Sequence, residues 1–113
     1  THADYFYGEI PCTRPLTSQE VANDYELNTG RVIIERFQDL NYQSMPAVLV
    51  AEHGPFTWGK NAREAVRNSV ILEQVAEMAY LTRELAGSDQ PISNHVLDKH
   101  YLRKHGPGAY YGQ

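Results

Sequence analysis

The residues of this 113-residue chain best suited to chemistry are its five histidines, His2, His53, His95, His100 and His105. None pairs at the HExxH spacing that sets two imidazoles on one helix face, and the single Cys12 has no CxxC partner. His95 and His100 are five apart, as are His100 and His105, too far round a helix to share a ligand face cleanly. An ordinary surface or hydrogen-bonded role is therefore the default for each. His53 is set apart by its position. It follows the apolar run Ala47 to Ala51 and Glu52, and Gly54-Pro55 turn the chain just after it. Two readings stay open for it: a structural histidine, or an imidazole that a buried strand aims into a site.

The other candidates are carboxylates and phenols. Asp4 lies in the aromatic stretch His2 to Tyr7. Burial there would raise its pKa and make it a proton shuttle, whereas a turn aspartate before Gly8 is the default. Glu26 reads first as a helix-start carboxylate favoured by the dipole. Tyr110-Tyr111 reads as a fold-back anchor; a free phenol is a poor proton carrier near neutral pH, so a catalytic tyrosine needs a cation nearby. Lys99 to Lys104 reads as one side of a solvated basic helix.

These residues need elements to position them. Ile10-Pro11-Cys12 is a short extended piece. Thr17-Ser18-Gln19-Glu20 has the form of a capping box and opens a short helix. A second helix is expected from Glu26 to Gln38, with Val32, Ile33, Ile34 and Phe37 buried. Asp39 to Ser44 is a polar linker. Ala47 to Ala51 is the clearest strand, branched and without alternation, so covered on both faces. Phe56 to Trp58 is expected as a second strand. Asn61 caps a long helix running to about Leu85 and ending before Gly87, with Val66, Val70, Leu72, Val75, Ala76, Ala79 and Tyr80 as a wide apolar face. Ser93 caps a last helix, Asn94 to His105, stopped by Gly106-Pro107-Gly108.

Composition narrows the class. A hydrophobic share of 42% and a charged share of 21% describe an ordinary globular protein of one domain or part of one. The net charge of −4 argues against a nucleic-acid or anionic-membrane partner. One cysteine excludes an intrachain disulfide, which fits a cytoplasmic setting. No apolar run is long enough to span a bilayer.

Several stretches together resemble the L-ribulose-5-phosphate 4-epimerases, a branch of the class II aldolase/epimerase superfamily: THADYFYG, IPCTR, the YE…TG segment, HGPFTWGKNA, DKHYLRKHG and AYYGQ. HGPFTWG carries the resemblance at superfamily level, and DKHYLRKHG with AYYGQ at the level of the epimerase branch. The resemblance implies an α/β domain, three layers α/β/α with a mostly antiparallel central sheet, assembled as a homotetramer with sites between subunits. It implies a divalent cation, usually zinc, held by three histidines, of which His53 would be one. It implies a sugar-phosphate substrate, cleaved by a retro-aldol step and rejoined on its other face. The proton carriers for the two faces would be Asp4 and Tyr111, with Glu26 and His100 in supporting positions.

The chain is expected to be the C-terminal portion of one such domain, residues 1–113, with the other two metal ligands upstream of it. By itself it should be a poor catalyst or none, and it should self-associate through an uncovered sheet edge and helix face. The rival readings are a sugar-phosphate aldolase of the same superfamily and a non-catalytic helical interaction module.

Overall fold

The computed structural model describes residues 2–88 and 90–112. The chain opens with a single 3-10 turn, His2–Asp4. Helices α1 (Ser18–Ala22) and α2 (Tyr25–Arg36) follow. Strands β1 (Ala47–Val50) and β2 (Gly54–Thr57) form an antiparallel hairpin. Helices α3 (Ala62–Ala86) and α4 (Asn94–His105) complete an α/β arrangement.

Local chemistry accounts for the helix ends. Thr17 accepts from the Glu20 amide while the Glu20 carboxylate accepts from the Thr17 amide, the expected capping box. Arg14 then ties α1 to α2 by pairing with Glu20 at 2.9 Å and Glu35 at 3.1 Å. That guanidinium, with the Thr17 amide, pulls Glu20 down to about 2. Asn61 accepts from the Glu64 amide at 3.0 Å, and Gly87, at φ 65°, closes α3 in the left-handed conformation that glycine adopts without strain. Ser93 stands at the start of α4, but its side chain makes no capping bond.

β1 is the centre of the structure. Residues 11–13 run parallel along its other edge, with Leu49 donating to the Pro11 carbonyl and accepting from the Thr13 amide, each at 2.9 Å. Ala47, Val48 and Val50 are buried, whereas Leu49 is partly exposed. The core gathers Phe6, Met45, Ala47 and Leu72, with Tyr5, Ile10, Phe37, Ile71 and Val75 packed around them. Phe37 meets Trp58 edge-to-face at 5.2 Å.

The structure corrects three sequence expectations about the hairpin and helices α2 and α3. β2 begins at Gly54, not Phe56, because the turn is made by residues 51–53 and the His53 amide bonds back to the Val50 carbonyl at 3.0 Å. Pro55 is tolerated there because β2 pairs only along its β1 side among the described residues. Ile34 is 72% exposed while Val32 is buried. Three consecutive apolar residues cannot share one face when each step turns the helix by about 100°. The apolar face of α3 is likewise narrower than expected. Leu72 is buried and Val75 packs on the core, but Val66, Val70 and Tyr80 are exposed. Asn68 takes the buried place instead, donating to the Trp58 carbonyl at 2.7 Å.

α4 docks on the N-terminal turn rather than standing in solvent. Tyr7 stacks on Tyr101 with ring centroids 4.6 Å apart, and Tyr101 on His105 at 4.4 Å. His105 Nε2 donates to the Asp4 carbonyl at 2.7 Å, and Tyr7 Oη donates to Asp98. Asp4 is buried beneath the helix. Burial alone would push its carboxyl up. The Arg103 guanidinium, the charge of Lys104 and the nearby His100 outweigh burial together and hold it below the usual carboxylate range. The rise that burial alone would bring is thus reversed.

A carboxyl depressed in the fold stabilises the protein above its unfolded pKa, and that contribution is lost as pH falls through the lower folded value. Melting temperatures of the protein and of Asp4→Asn should therefore differ most above about pH 5 and draw together as pH falls below the ordinary carboxylate range. A constant gap across that range would mean that the Asp4 charge contributes nothing to α4 docking.

Candidate active site

Asp4, His100 and Tyr111 meet on one side of α4. Arg103 Nη2 donates to both Asp4 oxygens, at 3.4 and 3.3 Å. His100 Nδ1 lies 3.4 Å from Asp4 Oδ1, one helical turn before Arg103. His100 and Arg103 stand three apart in sequence, so the helix sets them side by side over the carboxylate. The aspartate comes from a 3-10 turn at one end of the chain and its partners from a helix near the other.

The tail after α4 folds back onto the same helix. The amides of Tyr110 and Tyr111 both donate to the Arg103 carbonyl, at 2.8 and 3.1 Å. Arg103 Cζ lies 4.2 Å from the centroid of the Tyr111 ring. Lys99 Nζ sits 5.3 Å from the Tyr110 ring, and its hydrogen bond holds that phenol below its ordinary pKa. The fold-back reading of the tyrosine pair therefore holds for its backbone. Sequence reasoning missed Arg103, which touches both Asp4 and Tyr111. The signal was present, since a proton-carrying phenol needs a neighbouring cation, but in a linear reading Arg103 looked like one charge on a wet helix.

His53 and Glu26 lie elsewhere. His53 is the last residue of the β1–β2 turn, and its ring contacts Phe56 at 5.2 Å and Tyr25 at 6.4 Å between centroids. Glu26 is exposed in the first turn of α2, next to Tyr25. Among the described residues, the non-glycine positions with positive φ are Asp24 at 52° and Glu52 at 62°. Each immediately precedes a member of the Tyr25–His53 contact. Residues held in the left-handed region cost roughly 1 kcal/mol or more and cluster at functional sites. No hydrogen bond or ring contact joins this group to the Asp4 group among the described residues.

Among the described residues no group of three or more His, Cys, Asp or Glu could hold a metal ion. His53 suits the role of a single ligand: its ring is exposed on a rigid hairpin and has no hydrogen-bond partner among the described residues. Sites of this kind take about three protein ligands, so His53 alone would not retain the ion. No helix is long and apolar enough to cross a membrane, among the described residues.

Comparison with known proteins adds a family. The profile of the Class II Aldolase and Adducin N-terminal domain matches residues 1–80. The chain is 52% identical over all 113 residues to the L-ribulose-5-phosphate 4-epimerase UlaF of Salmonella paratyphi C (strain RKS4594). It has the same identity to proteins of that name from Salmonella choleraesuis (strain SC-B67) and Salmonella typhi. Each alignment covers 100% of this chain and 50% of the relative, so the chain spans about half the length of the curated relatives it matches. With most of its length matched by that profile, the chain belongs to the class II aldolase and adducin family.

Proposed function

We propose that this chain is the C-terminal portion of a single class II aldolase/epimerase domain. In that reading the whole protein interconverts L-ribulose 5-phosphate and D-xylulose 5-phosphate by epimerisation at C4. The observation that carries it is the meeting of Asp4 and Tyr111 across Arg103, from opposite ends of the chain. The identity with proteins named as that epimerase supports it.

The reaction breaks the C3–C4 bond, turns the released aldehyde over and remakes the bond on its other face. It needs one group to take the C4 hydroxyl proton and another, on the opposite face, to return it. Asp4 suits the charged role, because Arg103 keeps its buried carboxylate ionised. Tyr111 suits the neutral role, with an O–H that both donates and accepts. His100 stands against the Asp4 carboxylate and would hold its orientation. Glu26 would support the His53 side of the site.

A divalent cation, when bound, polarises the oxygens at the breaking bond. His53 would be one of its ligands, and zinc suits a site built on imidazoles. The same reading includes a homotetramer with sites between subunits, a cytoplasmic location, a place in arabinose-type pentose catabolism and an isolated chain that is inactive. All of these rest on the resemblance.

In the full-length protein, His53→Asn should lower metal content and turnover together, by more than about 10-fold. Full zinc occupancy by metal analysis would remove His53 from the ligand set.

Asp4→Asn and Tyr111→Phe should each lower kcat by roughly 10²–10⁴ while the metal stays bound. Near-normal conversion of L-ribulose 5-phosphate by either variant would mean that the residue carries no required proton. Accumulation of free aldehyde by the unaltered protein would favour an aldolase.

A further inference from the structure

We propose that Arg103 is the positioning residue for both proton carriers: the edge of its guanidinium holds the Asp4 carboxylate while its face carries the Tyr111 ring. The inference rests on the reading of Asp4 and Tyr111 given above.

Three observations support it. The first is geometric. One nitrogen, Nη2, reaches both carboxylate oxygens, and the guanidinium carbon lies 4.2 Å from the phenol ring centroid. Edge and face are separate binding surfaces of a planar cation, and an ammonium has neither. The second is backbone. The Arg103 carbonyl accepts from the amides of Tyr110 and Tyr111, so one residue anchors the Tyr111 main chain and supports its side chain.

The third is the division of labour on α4. Lys99 lies over the Tyr110 ring. Lys104 lies 4.3 Å from the Tyr5 ring and donates to its hydroxyl at 3.3 Å. Each of these cations meets its own tyrosine, and Arg103 also hydrogen-bonds a buried carboxylate. Lysine could keep the charge but not both contacts at once. Arg103 Nε is buried with no acceptor among the described residues. A substrate oxygen bound there would give Arg103 a binding role instead, and kinetics separate the two.

The test uses the full-length, metal-loaded protein with Arg103→Lys and Arg103→Gln. If Arg103 positions the pair, both variants keep their metal and hold KM within about 3-fold, while kcat falls roughly 10²-fold, as expected for a small misplacement of catalytic groups. The carboxyl-carbon resonance of Asp4, assigned by its absence in Asp4→Asn, should titrate higher in Arg103→Gln than in the unaltered protein and stay low in Arg103→Lys. Added ethylguanidine should restore part of kcat to Arg103→Gln.

A raised KM with unchanged kcat would overturn positioning in favour of substrate binding. Unaltered kcat, or an unmoved Asp4 titration in Arg103→Gln, would overturn the inference outright. Should Arg103→Gln fail to fold, the kcat of Arg103→Lys decides alone, and wild-type kcat there refutes positioning. Retained turnover in Asp4→Asn or Tyr111→Phe would instead defeat the reading of the carriers. Lost turnover in those two with intact Arg103 variants would defeat this inference only.

Discussion

A carboxylate taken out of water must be paired, and the far end of this chain is arranged around that requirement. Asp4 is buried in the first turn of the structure. Its charge survives because Arg103, Lys104 and His100 come to it from α4. Residues 5–12 carry no lysine, arginine or histidine, and the groups that hold the charge come from the far end of the sequence. The ion pair therefore spans 99 positions and sets where the last helix lies. The Tyr7–Tyr101–His105 stack gives that docking its apolar contact. Without α4 in place the C-terminal tail would have no surface to fold onto, because its amides bond to α4 at Arg103.

A second constraint acts at β1. Its two edges are occupied by β2 and by residues 11–13, and it cannot slide without breaking both ladders. The turn that follows is consequently held at one place, with Glu52 in the left-handed region and His53 presented beyond it. Such a residue persists only where its surroundings over-determine it. Rigidity of this kind is what a metal ligand needs, because a wandering imidazole binds weakly. In the proposed reading the hairpin is a mount for one side chain, whereas the Asp4 cluster is a meeting of several.

α3 serves the core with a small part of its length. Leu72, Asn68, Ile71 and Val75 engage the hairpin and the N-terminal segment, while every residue from Ala76 to Ala86 is exposed. Twenty-five residues make a rod of roughly 38 Å, longer than the hairpin beneath it. The apolar residues on that stretch, Tyr80, Leu81 and Leu85 among them, are exposed and lie outside the core cluster.

Much of the local structure was legible in the sequence. Caps act between residues three or four apart, so the capping box at Thr17, the Asn61 cap and the stop at Gly87 could be read directly. The motifs around Asp4, His53 and Tyr111 were enough to point to the family. Faces and pairings were not legible. Whether Ile34 or Val32 is buried depends on what lies opposite α2, and the start of β2 depends on a turn that β1 and its neighbours constrain. The depressed state of Asp4 could not be read either, because burial and a distant guanidinium act on it in opposite directions. Arg103 shows the limit most plainly. The sequence determined a helix with a cation at that position; only tertiary structure decided that its edge meets residue 4 and its face residue 111, because both contacts are made across the fold.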